Sequence, residues 1–518
     1  MRTVVIGAGP AGLTCVRQAR SAGLDVVCYE KRDDLGGIWN PSGGGAYAGV
    51  RMQSSRMSMP FSDHPPGFTT DFPTQHEVQD YLRSYAARYG LLDAVELGTE
   101  VVRVARTDGC WQVTTRTADG REHTGTADAV LVANGELWQP RLPARLPAPT
   151  APVRILTAPE YRGPAEFTGR RVLVVGGGVS GADIAADLGG AAAHVDWSVR
   201  RHQLFLPRLV GDLYNDALFS YAGRVAVEEV PYAVYLDWLT EHLPEYMAMY
   251  RATGLLPEEG FHGAVHVNDR IVPRVHAGDV HPAPAFERFA EDGSVEFADG
   301  SRREYDAVVL CLGYEMPDYG FIDGLRREDL YEHHFWRHDP TLAVVNTPVD
   351  TEAFGTACPY FEAVAGWAIA VITGKAALPD ADARADWCSR HMGALQDRRY
   401  LDCWLETIRL GLLSGSLPDP AVDFAAYWTV VSSQVAPGNL EPGRATPIPA
   451  ALDDRLDLAG VRHRILAALP AHTRERLLAG AVIGPDDLAA AARVPAGREL
   501  APWLPYRQRT GGPEEATA

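Results

Sequence analysis

Two short glycine runs are the residues of this chain best suited to chemistry. The first, Gly7-Ala8-Gly9-Pro10-Ala11-Gly12, follows a β-branched run over 3–6 and precedes a helical pattern over 13–22. Residues 25–29 then read as a second apolar strand, which ends at Glu30. Strand, Gly-x-Gly-x-x-Gly, helix, strand and acid, in that order, describe a site for a dinucleotide. Gly7 permits a tight turn, Gly9 lets backbone approach a pyrophosphate, and Gly12 lets the helix close onto the strand. The helix N-terminus offers free N–H groups and the positive end of its dipole to the phosphates. Glu30 is placed to accept hydrogen bonds from ribose hydroxyls.

The pattern recurs. An apolar run over 171–175 leads into Gly176-Gly177-Gly178-Val179-Ser180-Gly181 and a helical stretch over 182–188. The next strand, 194–199, ends on Arg200 and Arg201, where an acid would favour the ribose of NAD. Arginine accommodates the 2′-phosphate of NADP, so the pair favours NADPH; the alternative is two surface arginines that solvate a strand end. A second repeated element backs the first. Asp128-Ala129-Val130-Leu131-Val132-Ala133-Asn134-Gly135 resembles Asp306-Ala307-Val308-Val309-Leu310-Cys311-Leu312-Gly313, each a buried strand running into a glycine turn. Two such units in one chain imply two dinucleotides, one held and one visiting.

The elements that position these residues define an α/β fold: two Rossmann-like dinucleotide-binding domains with a helical insertion and a helical C-terminal extension. A chain of 518 residues has room for about three domains. Its 46% apolar and 22% charged residues exclude wholesale disorder and fibrous architectures. A net charge of -19 opposes nucleic-acid binding, though a local basic site for a small anionic cofactor stays open. Seven cysteines without a Cys-x-x-Cys read as reduced intracellular thiols and argue against a redox dithiol or a paired zinc site. The spacing of His266, His276 and His281 fits no metal template, so no metal is expected. The opening residues do not form a signal peptide, and the weakly polar stretch 363–374 is too short to span a bilayer. A cytoplasmic protein with no membrane partner is expected.

With both fingerprints in hand, the chain resembles the two-dinucleotide-binding-domain flavoproteins, and among them the flavin-containing monooxygenases. The resemblance covers about residues 1–385. It rests further on Gly36-Gly37-Ile38-Trp39, on the glycine turns at 133–135 and 311–313, and on the segment 354–367. It implies FAD in the first unit and NADPH on the second. NADPH would reduce the flavin, which would take up O2 as a C4a-hydroperoxyflavin and pass one oxygen to a nitrogen or sulfur of a small soluble substrate. The cofactor-binding residues implied are Gly7, Gly9, Pro10, Ala11, Gly12, Glu30, Lys31, Gly37, Ile38, Trp39, Gln53, Val101, Ala133, Asn134, Gly176, Gly178, Val179, Ser180, Gly181, Arg200, Arg201, Gly313 and Glu362. Gln53 stands where the family commonly places an asparagine near the flavin, and is the implied catalytic residue. Glu362 is expected in the first turn of a helix whose N-terminus points at the flavin, as a catalytic group or simply a helix-terminal charge. Before the second unit the family's FxGxxxHxxxY is eroded: Ala151, Val153 and Thr157 replace Phe, Gly and His, and only Tyr161 survives. A Baeyer–Villiger enzyme would carry tryptophan at that last place.

Domain boundaries follow. Residues 1–150 and 309–385 form the two parts of a FAD-binding domain, and 165–308 a NADPH-binding domain with a helical insert over about 203–274. Residues 386–518 are the extension. Residues 40–72 read as an ordered loop along the flavin, and the proline-rich 138–164 as the crossing between domains. The insert's aromatics, helically spaced from Tyr235 to Tyr250, serve either as core or as a lid over a substrate channel. In the extension, 386–413, 461–469, 473–479 and 485–493 have helical patterns, and 510–518 is expected to fray. This part either covers the active site or makes a homodimer contact. The leading expectation is N- or S-oxygenation. Baeyer–Villiger or oxidative-decarboxylation chemistry is the second enzyme reading, and a non-enzymatic redox sensor is the third.

Overall fold

The computed structural model describes residues 1–43, 45–148, 151–224, 231–257, 260, 265–315, 317, 319–346, 351–354, 357–391, 399–445 and 458–495. The tail 510–518 lies outside the described residues. Strand β1 (Arg2–Ile6) enters helix α1 (Pro10–Ser21), and the chain returns along β2 (Asp25–Tyr29). β1 pairs in parallel with both β2 and β3 (Ala129–Val132). In the second unit, β4 (Arg171–Val175) enters α2 (Val179–Leu188) and is flanked in parallel by β5 (His194–Ser198) and β6 (Ala307–Leu310). The chain then returns to the first sheet as β7 (Leu342–Val344), parallel to β3, and enters α3 (Ala357–Ile372). The second unit is therefore inserted into the first. Val4, Val5, Val130, Leu131, Val174 and Val309 are all buried, as expected of parallel strands covered on both faces.

Each unit closes by the same contact. Gly7 has φ 100°, and a Cβ there would lie 2.5 Å from the Ala133 carbonyl oxygen. A Cβ on Gly12 would collide with the Gly7 carbonyl, and one on Gly181 with the Gly176 carbonyl. α1 and α2 thus sit on their strands at backbone-to-backbone distance. Both helices start earlier than the apolar patterns suggest. Pro10 has its φ preset for the first helical position, which brings the start of α1 into the glycine run itself.

The insert is not purely helical. Leu204–Leu206 and Val265–Val267 pair in parallel, a long-range partnership that local periodicity cannot reveal. Its helical stretch breaks into Tyr232–His242 and Pro244–Thr253, because Pro244 has no N–H to continue the first helix. Residues 386–413, which read as one helix, fall into a helix Ala381–His391, a strand Arg399–Asp402 and a helix Cys403–Ser414. That strand exists because Thr351–Phe354 offers it a parallel partner. The helix Cys403–Ser414 packs directly on α3. Its Cys403 and Leu410 join the core of the first unit, and its Trp404 and Ile408 join a separate core with Tyr221, Tyr427 and Ile465. Among the described residues, no helix is long and apolar enough to cross a membrane, and all seven cysteines are free thiols.

The two glycine roles separate by experiment. Gly12→Ala should lower stability by roughly 1–3 kcal/mol or more, as overpacking against fixed backbone does. Gly178→Ala meets nothing within 4 Å and should stay within about 1 kcal/mol of the parent chain. Thermal melting of both purified variants checks the contrast.

Candidate functional site

A cavity of about 470 Å³ opens where β1, β2 and β3 end. Ile6, Gly7, Gly9, Pro10 and Ala11 form its floor, so the N-terminus of α1 faces into it. Glu30 is buried at the tip of β2. Its Oε2 accepts from the Ala8 N–H at 2.7 Å and its Oε1 from the Arg32 N–H at 3.0 Å, which fixes the carboxylate at the cavity wall. Lys31, Gly37, Ile38, Trp39, Val101, Ala133 and Asn134, all anticipated from the sequence, line it as well.

Several wall residues went unread. Asn346 follows β7 and reaches the cavity because β7 lies beside β3. Its Nδ2 donates to Asn134 Oδ1 at 2.9 Å, and its Oδ1 accepts from the Gly135 N–H at 3.0 Å. This amide pair pins the glycine turn. Trp138 donates from Nε1 to the Asn134 carbonyl at 2.9 Å while the Arg32 guanidinium covers its ring at 4.2 Å. Met52, Met59, Cys358 and Phe361 supply apolar surface. Only Trp138 carried a local signal, an aromatic just after a glycine turn. The others reach the cavity through sheet order and loop packing.

Setting aside the residues of the second unit, four anticipated residues do not line this cavity. Gly12 acts from beneath, in the helix–strand contact. Gly313 accepts at its carbonyl from the Arg141 N–H at 2.9 Å, beside the domain crossing. Gln53 Oε1 accepts from the Val267 N–H at 3.0 Å, so this side chain ties the loop over residues 47–72, the later part of the 40–72 stretch, to the insert. Glu362 lies in the second turn of α3, not the first, because the helix begins at Ala357. Its carboxylate accepts from the Ser62 N–H at 3.0 Å and the Ser62 hydroxyl at 2.7 Å. Burial pushes its pKa up to about 7 against those two bonds.

In the second unit, Gly178 caps the N-terminus of α2, and the space beside it is open. Arg200 and Arg201 are exposed just past the end of β5. Further along α2, a second cavity of about 520 Å³ lies between the 47–72 loop, α2 and the insert. Asp183 is buried at its edge, accepting from the Tyr47 hydroxyl and from Asn268 Nδ2, both at 2.7 Å. Burial raises the Asp183 pKa, opposed by the Tyr47 bond and by Arg208 and Arg270. Tyr161, the surviving fingerprint residue, donates to Asp187 at 2.7 Å.

The chain thus carries two Rossmann-like units, one walled and acid-tipped, the other open and arginine-tipped. The chain belongs to the flavin-binding monooxygenase-like family, whose model matches residues 1–408. It is a flavin-dependent monooxygenase. Flavin-containing monooxygenase 5 of Rattus norvegicus is 29% identical over 509 residues, covering 90% of this chain and 91% of that protein. The Oryctolagus cuniculus protein of the same name is 31% identical over 408 residues, covering 73% and 74%. An open crystal structure of cyclohexanone monooxygenase superposes with a TM-score of 0.59 at 19% identity, covering 82% of this chain and 98% of that one. S-allyl-L-cysteine S-oxygenase from Allium sativum gives 0.58 at 22% identity, covering 80% and 88%. At these identities the structural likeness speaks to fold alone.

Glu362 generates a pH prediction. A carboxyl whose folded pKa is raised from 4.5 to about 7 stabilises the fold in its protonated form. That contribution is full below the unfolded value and is lost as pH climbs through the folded one. Glu362→Gln should therefore melt higher than the parent chain at about pH 8 and nearly level with it at about pH 5. Melting curves across that range check the sign.

Proposed function

We propose that the chain is an NADPH- and O2-dependent monooxygenase that transfers one oxygen atom to a nitrogen, or a sulfur, of a small soluble molecule. The observation that carries this reading is the inequality of the two nucleotide sites. The first is a walled cavity with Glu30 fixed at its edge by two backbone N–H groups. The second is an open glycine turn with exposed arginines at the neighbouring strand end. One suits a nucleotide that stays, the other a nucleotide that comes and goes.

In this reading residues 1–150 and 309–385 hold FAD. The N-terminus of α1 meets its pyrophosphate, and Glu30 its ribose. Residues 165–308 take NADPH, with Gly178, Val179 and Ser180 at the pyrophosphate and Arg200 and Arg201 at the 2′-phosphate. When bound, the flavin supplies two-electron redox chemistry and oxygen activation. The chain supplies the surroundings. Met52, Met59, Cys358 and Phe361 give the cavity apolar walls that exclude water. The Asn134–Asn346 pair keeps the glycine turn rigid beside it. A Mus musculus relative, 30% identical over 404 residues, is a dimethylaniline monooxygenase named for forming N-oxides, which supports nitrogen as acceptor.

The test is oxygen uptake by purified protein with NADPH and a panel of tertiary amines and thioethers. The expected product is the substrate plus one oxygen atom. Esters or lactones formed from ketones instead would favour the Baeyer–Villiger reading, and no uptake with any class would overturn the oxygenase reading. Replacing Arg200 and Arg201 together by alanine should raise the KM for NADPH about tenfold or more while leaving that for NADH little changed. Steady-state kinetics with both nucleotides measures this.

A further inference from the structure

A buried carboxylate of the inserted segment reaches the loop that walls the first cavity. Asp216 lies in a short turn, Asn215–Ala217, and is almost wholly buried. Its Oδ2 accepts from the Ser55 N–H at 2.6 Å and from the Ser58 hydroxyl. Both bonds fall on the same oxygen, and Oδ1 has no hydrogen-bond partner. Ser55 and Ser58 are themselves fully buried. Ser55 also closes a turn, its carbonyl accepting from the N–H of Ser58 at 3.1 Å and of Met59 at 3.0 Å. Met59 and Met52, at the two ends of this stretch, are wall residues of the cavity.

Asp216 is itself held. Asn215 donates from Nδ2 to the Pro207 carbonyl at 2.8 Å and from its N–H to the Arg208 carbonyl at 3.0 Å. Beyond the turn, the Tyr221 hydroxyl donates to the Ala436 carbonyl at 3.1 Å, and the Val435 N–H to the Phe219 carbonyl at 3.2 Å. The anchor for the methionine wall thus belongs to the insert, and the insert is fastened to the C-terminal helices.

We propose that Asp216 is a positioning residue of the flavin site: its carboxylate, carried by the insert, sets the Ser55–Ser58 turn and so the Met52 and Met59 side chains that wall the cofactor cavity. This rests on the reading that the cavity holds FAD. One oxygen receives both donors, so an asparagine can put its carbonyl oxygen in the same place. The turn requires an acceptor at that point, whereas the charge is opposed by burial and favoured by Arg224 only as the last and smallest of the influences on this carboxyl.

The test compares the parent holoenzyme with Asp216→Asn, Asp216→Leu and Ser58→Ala. Three quantities are read: the rate of FAD release, the visible circular dichroism of bound flavin, and the share of NADPH oxidation lost as peroxide. Melting curves report the fold separately. Asp216→Leu should release FAD about tenfold faster, the equivalent of one lost buried hydrogen bond, with an altered flavin signal and more peroxide. Ser58→Ala should move the same readouts less, and Asp216→Asn should stay close to the parent. A folded Asp216→Leu with unchanged release and flavin signal overturns the proposal, as does an Asp216→Asn as impaired as Asp216→Leu. If Asp216→Leu does not fold, Ser58→Ala decides: unchanged readouts overturn, and faster release with an altered signal supports. A parent protein that takes up no FAD overturns the reading of the cavity and the proposal with it. A parent that binds FAD beside unaffected variants overturns the proposal alone.

Discussion

Everything functional in this molecule depends on how closely a helix can approach the strand that precedes it. At Gly12 over the Gly7 carbonyl, and at Gly181 over the Gly176 carbonyl, a side chain as small as methyl has no room. That approach aims the first turn of each helix, with its unsatisfied N–H groups, across the carboxyl end of a parallel sheet. The same geometry is used twice with different rims. Around the first helix the chain adds Glu30, a second glycine turn and a loop of methionines, and a walled cavity results. Around the second it adds two exposed arginines and leaves space beside Gly178.

The walls of the first cavity are assembled from remote parts of the chain, and much of their support is polar. At the far end of the first sheet, Glu332 and His333 both adopt left-handed backbone, with φ of 52° and 65°. For residues other than glycine this costs on the order of 1 kcal/mol each. Arg409, buried in the helix Cys403–Ser414, pairs with Glu332 at 2.8 Å and Glu406 at 3.0 Å and holds that turn from the C-terminal side. The next residue, His334, joins the Val344 carbonyl at 2.8 Å to the Tyr360 hydroxyl at 2.9 Å, and burial drops its pKa to about 3, so it stays neutral. The C-terminal helix therefore supports both β7 and the start of α3. The helix Cys403–Ser414 is thus packed into the core of the first unit while lying outside its sheet.

The parts legible in the sequence are those whose physics is local. A glycine turn between an apolar strand and a helix needs nothing distant to be recognised, so both nucleotide units and Glu30 were readable, and the strand Asp25–Tyr29 has the bounds its apolar run suggests. What was missed depends on partners far along the chain. The strands Leu204–Leu206 and Arg399–Asp402 exist only because Val265–Val267 and Thr351–Phe354 lie beside them. Gln53 sits in the loop next to the cavity, but its amide is turned to the backbone of Val267 and not to the wall. Glu362 was displaced by one helical turn, since nothing in the sequence announces that α3 starts at Ala357. Asn346 and Met59 carry no pattern of their own and gain meaning only from sheet order and from the turn fixed by Asp216.

The central claim is that one nucleotide is held in the first cavity and another visits the open glycine turn at Gly178. The most direct measurement is anaerobic mixing of the purified protein, freed of loose small molecules, with NADPH and separately with NADH, following the flavin absorption. The account predicts a yellow protein that keeps its FAD through purification and is bleached by NADPH much faster than by NADH. A protein that holds no FAD, or one whose bound flavin neither nucleotide bleaches, would contradict it.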